Sequence, residues 1–286
     1  AKSGRVMQGS GLGLVRGSLI ALLVLACVAT TLSAQKKPLD QSAYDGWKSI
    51  VSPKVSENGD WICYAITPQR GDALLEFYNV GTKQTTRIER GGSPAWFNND
   101  TWATFKIAVP FAKVRQAKID KVKADKMPKD TFAVMNLAEM KVVKLPGAKE
   151  LKTSAKGALY AYTYEVTPVK DTTVKDSAAK GNKTPGKYDR LVVVDVRTGD
   201  STVVDSVKNF TVAENGRSVL YTREADSLKA VYVYTVDPKR GVLQRELWSS
   251  KLGAVSPSLV LDRSGEQGAF LVTADTVKHA LYDLYY

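Results

Sequence analysis

Apolar residues along this chain come in short runs, many of them alternating with polar ones, and the runs stop at Gly, Asn, Asp or Pro. They are rich in Val, Tyr, Thr, Phe and Trp, residues that suit a pleated surface covered on one or both faces. Stretches with a 3.6-residue period are scarce. Only 111–129, rich in Lys and Ala, and 170–187, rich in Lys, Thr, Asp and Gly, read as helix or coil. The pattern predicts an all-β protein.

The runs also repeat. A polar turn followed by an aromatic-rich strand occurs at 56–64, where Asn58-Gly59-Asp60 precedes Trp61-Ile62-Cys63-Tyr64. It returns at 97–105, 153–162, 213–221 and 262–270. After each copy comes a strand, a tight turn and another strand, at 75–83, 132–141, 191–200 and 231–241, with a last instance at 280–286 that stops before its turn. Asn-Gly and Thr-Gly-Asp supply left-handed turn positions at low cost, and the flanking runs then pair antiparallel. A four-stranded sheet with two apolar faces cannot bury both alone, whereas a row of such sheets can. The expected fold is therefore a β-propeller-like, incomplete ring of about four to five blades, with units spaced roughly 40 to 60 residues apart. The longer units hold the Lys-rich insertions near 111–130 and 168–188. A β-sandwich would not need the repeated turn–strand order, and a parallel β-helix would show shorter periods.

The N-terminal stretch differs. Residues 19–29 form one apolar run of the length of a signal-peptide core, with Arg16 before it and Ser33-Ala34 followed by Gln35-Lys36-Lys37 after it. The domain reading is a signal peptide over 1–34, cleaved after Ala34, and a partial propeller over 35–286. Met7 would begin a more typical leader than Ala1 does. A membrane anchor is short of the required length, and lipid attachment at Cys27, in Val24-Leu25-Ala26-Cys27, is the third option. The protein is expected to be exported to the periplasm or cell surface.

Charge and chemistry-bearing residues narrow the function. Lys and Arg outnumber Asp and Glu by 41 to 29, giving +12. Without the three cations of the leader, +9 remains; a solvated face is the plainer reading, a polyanion surface the bolder one. The segment 113–129 carries seven cations, from Lys113 to Lys129, interrupted by Asp120 and Asp125 and without an aromatic ring to stack a base. It reads as a solvated insertion, and no nucleic acid is expected. The one histidine, His279, precedes an apolar run and reads as a strand-entry residue. No Gly-x-Ser-x-Gly elbow occurs; Gly91-Gly92-Ser93-Pro94-Ala95 is the nearest match. One His and one Cys beyond the leader cannot supply the usual zinc ligands. No catalytic, metal or cofactor residue is assigned, and no cofactor is expected. Cys63, in an apolar run, reads as a buried strand thiol, and Trp47, Trp61, Trp96, Trp102 and Trp248 as core.

Several segments resemble a known family. Lys37-Pro38-Leu39-Asp40, Tyr44-Asp45-Gly46-Trp47-Lys48, the stretch from Val55 to Trp61, Pro68-Gln69-Arg70-Gly71-Asp72 and Met127-Pro128-Lys129-Asp130-Thr131 are similar to the opening of exported serine peptidases of the prolyl oligopeptidase family, Bacteroidetes type. The resemblance spans roughly 35–286 and is strongest over 37–135. It implies a propeller followed by an α/β-hydrolase domain that carries Ser, Asp and His, the propeller restricting access to short peptides. The chain reaches Tyr286 before any such domain, so the resemblance places no catalytic residue on it. The glutamate pair with which some relatives hold a peptide amino terminus has no match. The expected role is a non-catalytic segment that gates substrate access and docks the hydrolase domain. A standalone periplasmic binding or scaffold module is the alternative.

Overall fold

The structure is a computed structural model, and it describes residues 44–167, 187–225, 227–237, 240–275 and 281–286. The leader with Met7 and Cys27, most of the second Lys-rich insertion and His279 lie outside the described residues. The contacts divide the chain into 1–46 and 47–286, and every strand belongs to the second unit.

That unit is built from five antiparallel sheets in chain order. The first holds β1 (Lys48–Val55), β2 (Trp61–Pro68), β3 (Leu74–Asn79) and β4 (Thr85–Glu89). The second holds β5 (Gly91–Phe97), β6 (Trp102–Ile107), β7 (Thr131–Asn136) and β8 (Lys141–Leu145). The third holds β9 (Ala148–Thr153), β10 (Leu159–Val166), β11 (Tyr188–Asp195) and β12 (Ser201–Val204). The fourth holds β13 (Val207–Val212), β14 (Ser218–Ala225), β15 (Leu228–Asp237) and β16 (Gly241–Ser250). The fifth shows three strands among the described residues, β17 (Ala254–Leu261), β18 (Gly268–Thr273) and β19 (Asp283–Tyr285). Each strand pairs with its sequence neighbours, so every sheet is a plain meander. The all-β, propeller-like expectation is met. All five turn–strand copies join the first two strands of a sheet, and the second elements form each third strand.

Four apolar clusters account for the stacking, one at each seam. Phe77, Leu75, Cys63 and Trp61 of the first sheet meet Ala103, Phe105, Ala133 and Met135 of the second. Phe97, Val134 and Leu145 meet Tyr160 of the third. Leu159, Ala161, Leu191 and Val193 meet Val207, Phe210, Val219 and Tyr221 of the fourth. Leu220 and Val231 meet Phe270 and Val272 of the fifth. Alternation of side chains across a strand sends neighbours to opposite seams. Met135 thus faces the first sheet and Val134 the third, while Tyr221 and Leu220 separate in the same way. Middle strands therefore read as continuous apolar runs, because both of their faces are covered. The principal contacts between sheets all join consecutive ones, and no closed ring forms among the described residues.

The ends of the row differ. β1 is exposed along its whole length, and Leu281, Leu284 and Tyr286 stand open beside the fifth sheet. Trp47 is 55% exposed, which corrects its reading as core. It sits just before β1, which no preceding sheet covers among the described residues.

The step from one sheet to the next takes one to three residues, and each step contains a left-handed residue: Arg90, Gly147, Ser206 and Gly253. The pairing of the first two strands is bulged in all five sheets. A bulge bends its strand, which lets the chain leave one sheet and enter the next.

Candidate functional site

Antiparallel alternation sorts the loops onto two ends of the sheets. One end carries the turns between first and second strands, and the other carries the connections between second and third strands together with the sheet-to-sheet steps.

At the first end the five repeated turns bond to one another. Glu57 N–H donates to the Asp100 carboxylate across the first seam. Asn98 and Asn99 N–H donate to the Ser154 and Ala155 carbonyls at 3.3 and 3.1 Å. Lys156 N–H donates to Glu214 O at 2.9 Å, and Asn215 N–H to Arg263 O at 3.2 Å. The turns are internally braced too. The Ser56 and Ser154 hydroxyls and the Asp262 carboxylate each accept the N–H five residues on, from Trp61, Leu159 and Gln267, at 3.0 to 3.1 Å. The left-handed positions expected at Gly59, Gly199 and Gly216 are present. The second copy uses Asn98, Asn99 and Asp100 instead, residue types whose side chains tolerate that region.

The opposite end is basic. Between β6 and β7 the first Lys-rich insertion forms α1 (Phe111–Ile119), with no buried residue, and then a 3-10 turn at Ala124–Lys126. Its base is pinned by two carboxylates: Asp72 accepts Phe111 N–H at 2.7 Å and Asp130 accepts Val109 N–H at 3.1 Å. Arg90, in the step from the first sheet to the second, is fixed by its backbone to Ala73 and Ala108, at 2.7 and 2.8 Å, and its guanidinium donates to Ala108 O at 3.3 Å. Around this base lies an open cavity of about 270 Å³ into which Arg90, Lys113, Lys129 and Lys144 face, with no carboxylate in its wall. A second hollow of about 400 Å³ shares Pro128 and Lys129 and continues to Lys106, Phe132 and Lys149, with Asp130 as its one acid. Lys106 caps the Phe132 ring, 4.9 Å from its centroid.

The hollow ends at an ion network in the third sheet. Lys149 bonds Asp189 at 2.6 Å and Glu165 at 3.1 Å, and Lys187 bonds Glu165 at 2.8 Å. The Asp189 carboxylate chiefly holds the Lys149 ammonium pKa up, and Lys187, then Lys149, holds the Glu165 carboxyl down. These cations are already matched. The four around the smaller cavity form no ion pair among the described residues.

Elsewhere the chemistry is muted. Cys63 is fully buried in β2, and burial pushes its thiol up to about 11, against a weaker pull from Lys54. Ser93 of the Gly91–Ala95 segment lies in β5, exposed. Gly91 is needed there because a Cβ would sit 2.6 Å from that of Leu75. Among the described residues no cluster of three metal-ligating side chains forms. The Arg90 step and the paired hollows escaped the sequence reading: Gly91-Gly92 marks a turn beside Arg90 but not what the turn brings together, and the cations come from several connections and strands.

No family model matches the chain, and no curated protein matches it. Solved structures do. An acylaminoacyl peptidase from Pyrococcus horikoshii aligns with a TM-score of 0.42 at 9% identity, over 82% of this chain and 37% of that one. The β-propeller domain of the Trilobed protease from Pyrococcus furiosus, described as having an open velcro topology, aligns with a TM-score of 0.42 at 12% identity, over 84% and 69%. TolB from Acinetobacter baumannii aligns with a TM-score of 0.32 at 12% identity, over 79% and 52%. The chain thus spans little more than a third of the length of the first of these.

Proposed function

We propose that this chain is the non-catalytic propeller portion of an exported serine peptidase, whose Ser, Asp and His stand on an α/β-hydrolase domain of the same parent polypeptide. The observation that carries the reading is where the family-like segments fall. The stretch from Val55 to Trp61 is the first of the five bonded turns, Pro68 to Asp72 supplies the carboxylate that pins α1, and Met127 to Thr131 closes the insertion into β7. Two of the segments that resemble the family, 55–61 and 68–72, thus join the first sheet to the second, and a third, 127–131, frames the insertion. In this reading the sheets dock the hydrolase domain and limit access to short peptides, and the leader over 1–34 directs export, with cleavage after Ala34.

Reading the DNA beyond the Tyr286 codon tests it. An in-frame Gly-x-Ser-x-Gly and a late His are the expected result, and an immediate stop codon overturns the proposal. The purified chain is expected to hydrolyse no peptide. Hydrolysis blocked by a serine-directed inhibitor would contradict the assignment of chemistry to another domain.

A second reading, a periplasmic binding module acting alone, is favoured by one observation: the basic hollows are completed by residues of this chain without a partner. An export assay of the full coding sequence separates the two by the size of the mature product.

A further inference from the structure

We infer that the paired hollows at the base of the first Lys-rich insertion form a binding trough for an extended acidic segment of a second polypeptide. The inference stands whether or not the chain belongs to a peptidase.

Charge balance is the first ground. Arg90, Lys113, Lys129 and Lys144 surround one cavity whose wall contains no carboxylate, and Lys106 extends the line along the adjoining hollow. The two carboxylates that pin the base of the insertion, Asp72 and Asp130, each already accept a backbone N–H. Cations gathered in a concavity focus the potential and draw an anion to it.

Placement is the second ground. Arg90 is held by three hydrogen bonds to the loop backbone, Lys144 stands on β8, and Lys106 on β6 over the Phe132 ring. The charges therefore stand in a fixed order along one end of the second sheet, from the Arg90 step beside the first sheet toward β9 of the third, as an extended ligand requires. Together the hollows have the size of a ligand cleft and remain open to solvent along their length, which admits a chain passing through.

The donor types select carboxylates. Base stacking needs exposed aromatic faces, and the one ring in the trough, Phe132, is covered by the Lys106 ammonium. A bidentate phosphate site draws on a guanidinium fork, and the trough holds one, Arg90, with one of its terminal nitrogens on Ala108 O. What remains is a row of lysine ammonium groups, point charges on flexible stems that match carboxylates spaced along a peptide.

The test uses the full chain and a fluorescein-labelled octaglutamate peptide, with octaglutamine as the neutral probe and a labelled single-stranded oligonucleotide as the competing class. Fluorescence anisotropy is expected to show saturable binding of octaglutamate alone, weakening as salt is raised because the contacts are exposed. Lys129→Glu with Lys144→Glu should weaken binding about tenfold or more. Lys83→Glu with Lys141→Glu makes the same change in net charge on exposed residues at the other end of the sheets, and should change affinity less than about threefold. Equal losses in the two double variants would show attraction to net charge alone and overturn the trough. So would absence of octaglutamate binding at low salt, or tighter binding of the oligonucleotide through Lys129 and Lys144. All four lysines are exposed, and retention of the wild-type far-ultraviolet spectrum confirms that each variant is folded.

Discussion

Gly157 stands where two of the repeated turns nearly touch, and alanine there should loosen the seam between the third and fourth sheets. A Cβ at this position would lie 2.0 Å from Asn215 O, 2.3 Å from Asn215 C and 2.4 Å from Gly216 Cα. All three are backbone atoms of the facing turn, so no side-chain rotation relieves the clash. The turns must separate, and the nearest bond between them, Lys156 N–H to Glu214 O at 2.9 Å, is stretched or lost. Overpacking of a tight contact costs about 1–3 kcal/mol, and an unmade hydrogen bond adds about 1 kcal/mol. Gly157→Ala should therefore destabilise the fold by roughly 2–4 kcal/mol. With a urea dependence of about 3 kcal/mol per molar for a chain of this size, the unfolding midpoint should fall by about 1 M. Gly92→Ala is the matched control. Its Cβ meets nothing within 4 Å, so the change should be neutral or stabilise by up to about 1 kcal/mol through the unfolded chain. Equilibrium urea unfolding followed by tryptophan fluorescence measures both. Equal midpoints for the two variants would refute the claim that bonded turns hold neighbouring sheets in contact.

Other outcomes follow from buried polar groups. Glu76 is buried in β3 and accepts the Tyr64 hydroxyl at 2.7 Å and the Arg87 guanidinium at 2.8 Å. The Tyr64 bond chiefly holds its carboxyl below the ordinary 4.5, against burial and with help from Arg87. Because the folded value is depressed, the stabilisation is present above pH 4.5 and lost as pH falls through the folded value. Glu76→Gln should lower stability by about 1–3 kcal/mol at pH 7, and the gap should shrink in acid; a gap that does not change with pH would reject the ionic role. For Cys63 the folded value is raised, from 9.0 to about 11, so its contribution is full below pH 9 and is lost as pH rises toward 11. Alkylation mapped by peptide mass should label Cys63 only in denaturant, and rapid labelling of the native chain would contradict its burial. Phe105→Ala, at the first seam, should cost about 3–5 kcal/mol in the same urea assay. A loss under about 1 kcal/mol would mean that the seam is not packed as described.

The sequence by itself determined the strand class, the number of repeated units and the location of their turns. Strand periodicity and turn residues are local properties, and copies such as 56–64 and 213–221 carry both within nine residues. Local pattern does not say which face of a strand meets which neighbour, and only the stacking assigned Val134 to one seam and Met135 to another. Gly157 shows the same division. In the sequence it is one more turn glycine, yet its φ is ordinary, and its need arises from the Asn215 backbone 58 residues away. Trp47 departs from its expected burial because aromaticity records a preference for burial, while burial itself depends on a neighbouring sheet, and β1 has none on that side among the described residues. The basic trough was hidden for a related reason. Its cations come from Arg90, from the insertion and from β8, and charge is a through-space quantity that only the tertiary fold could gather in one place.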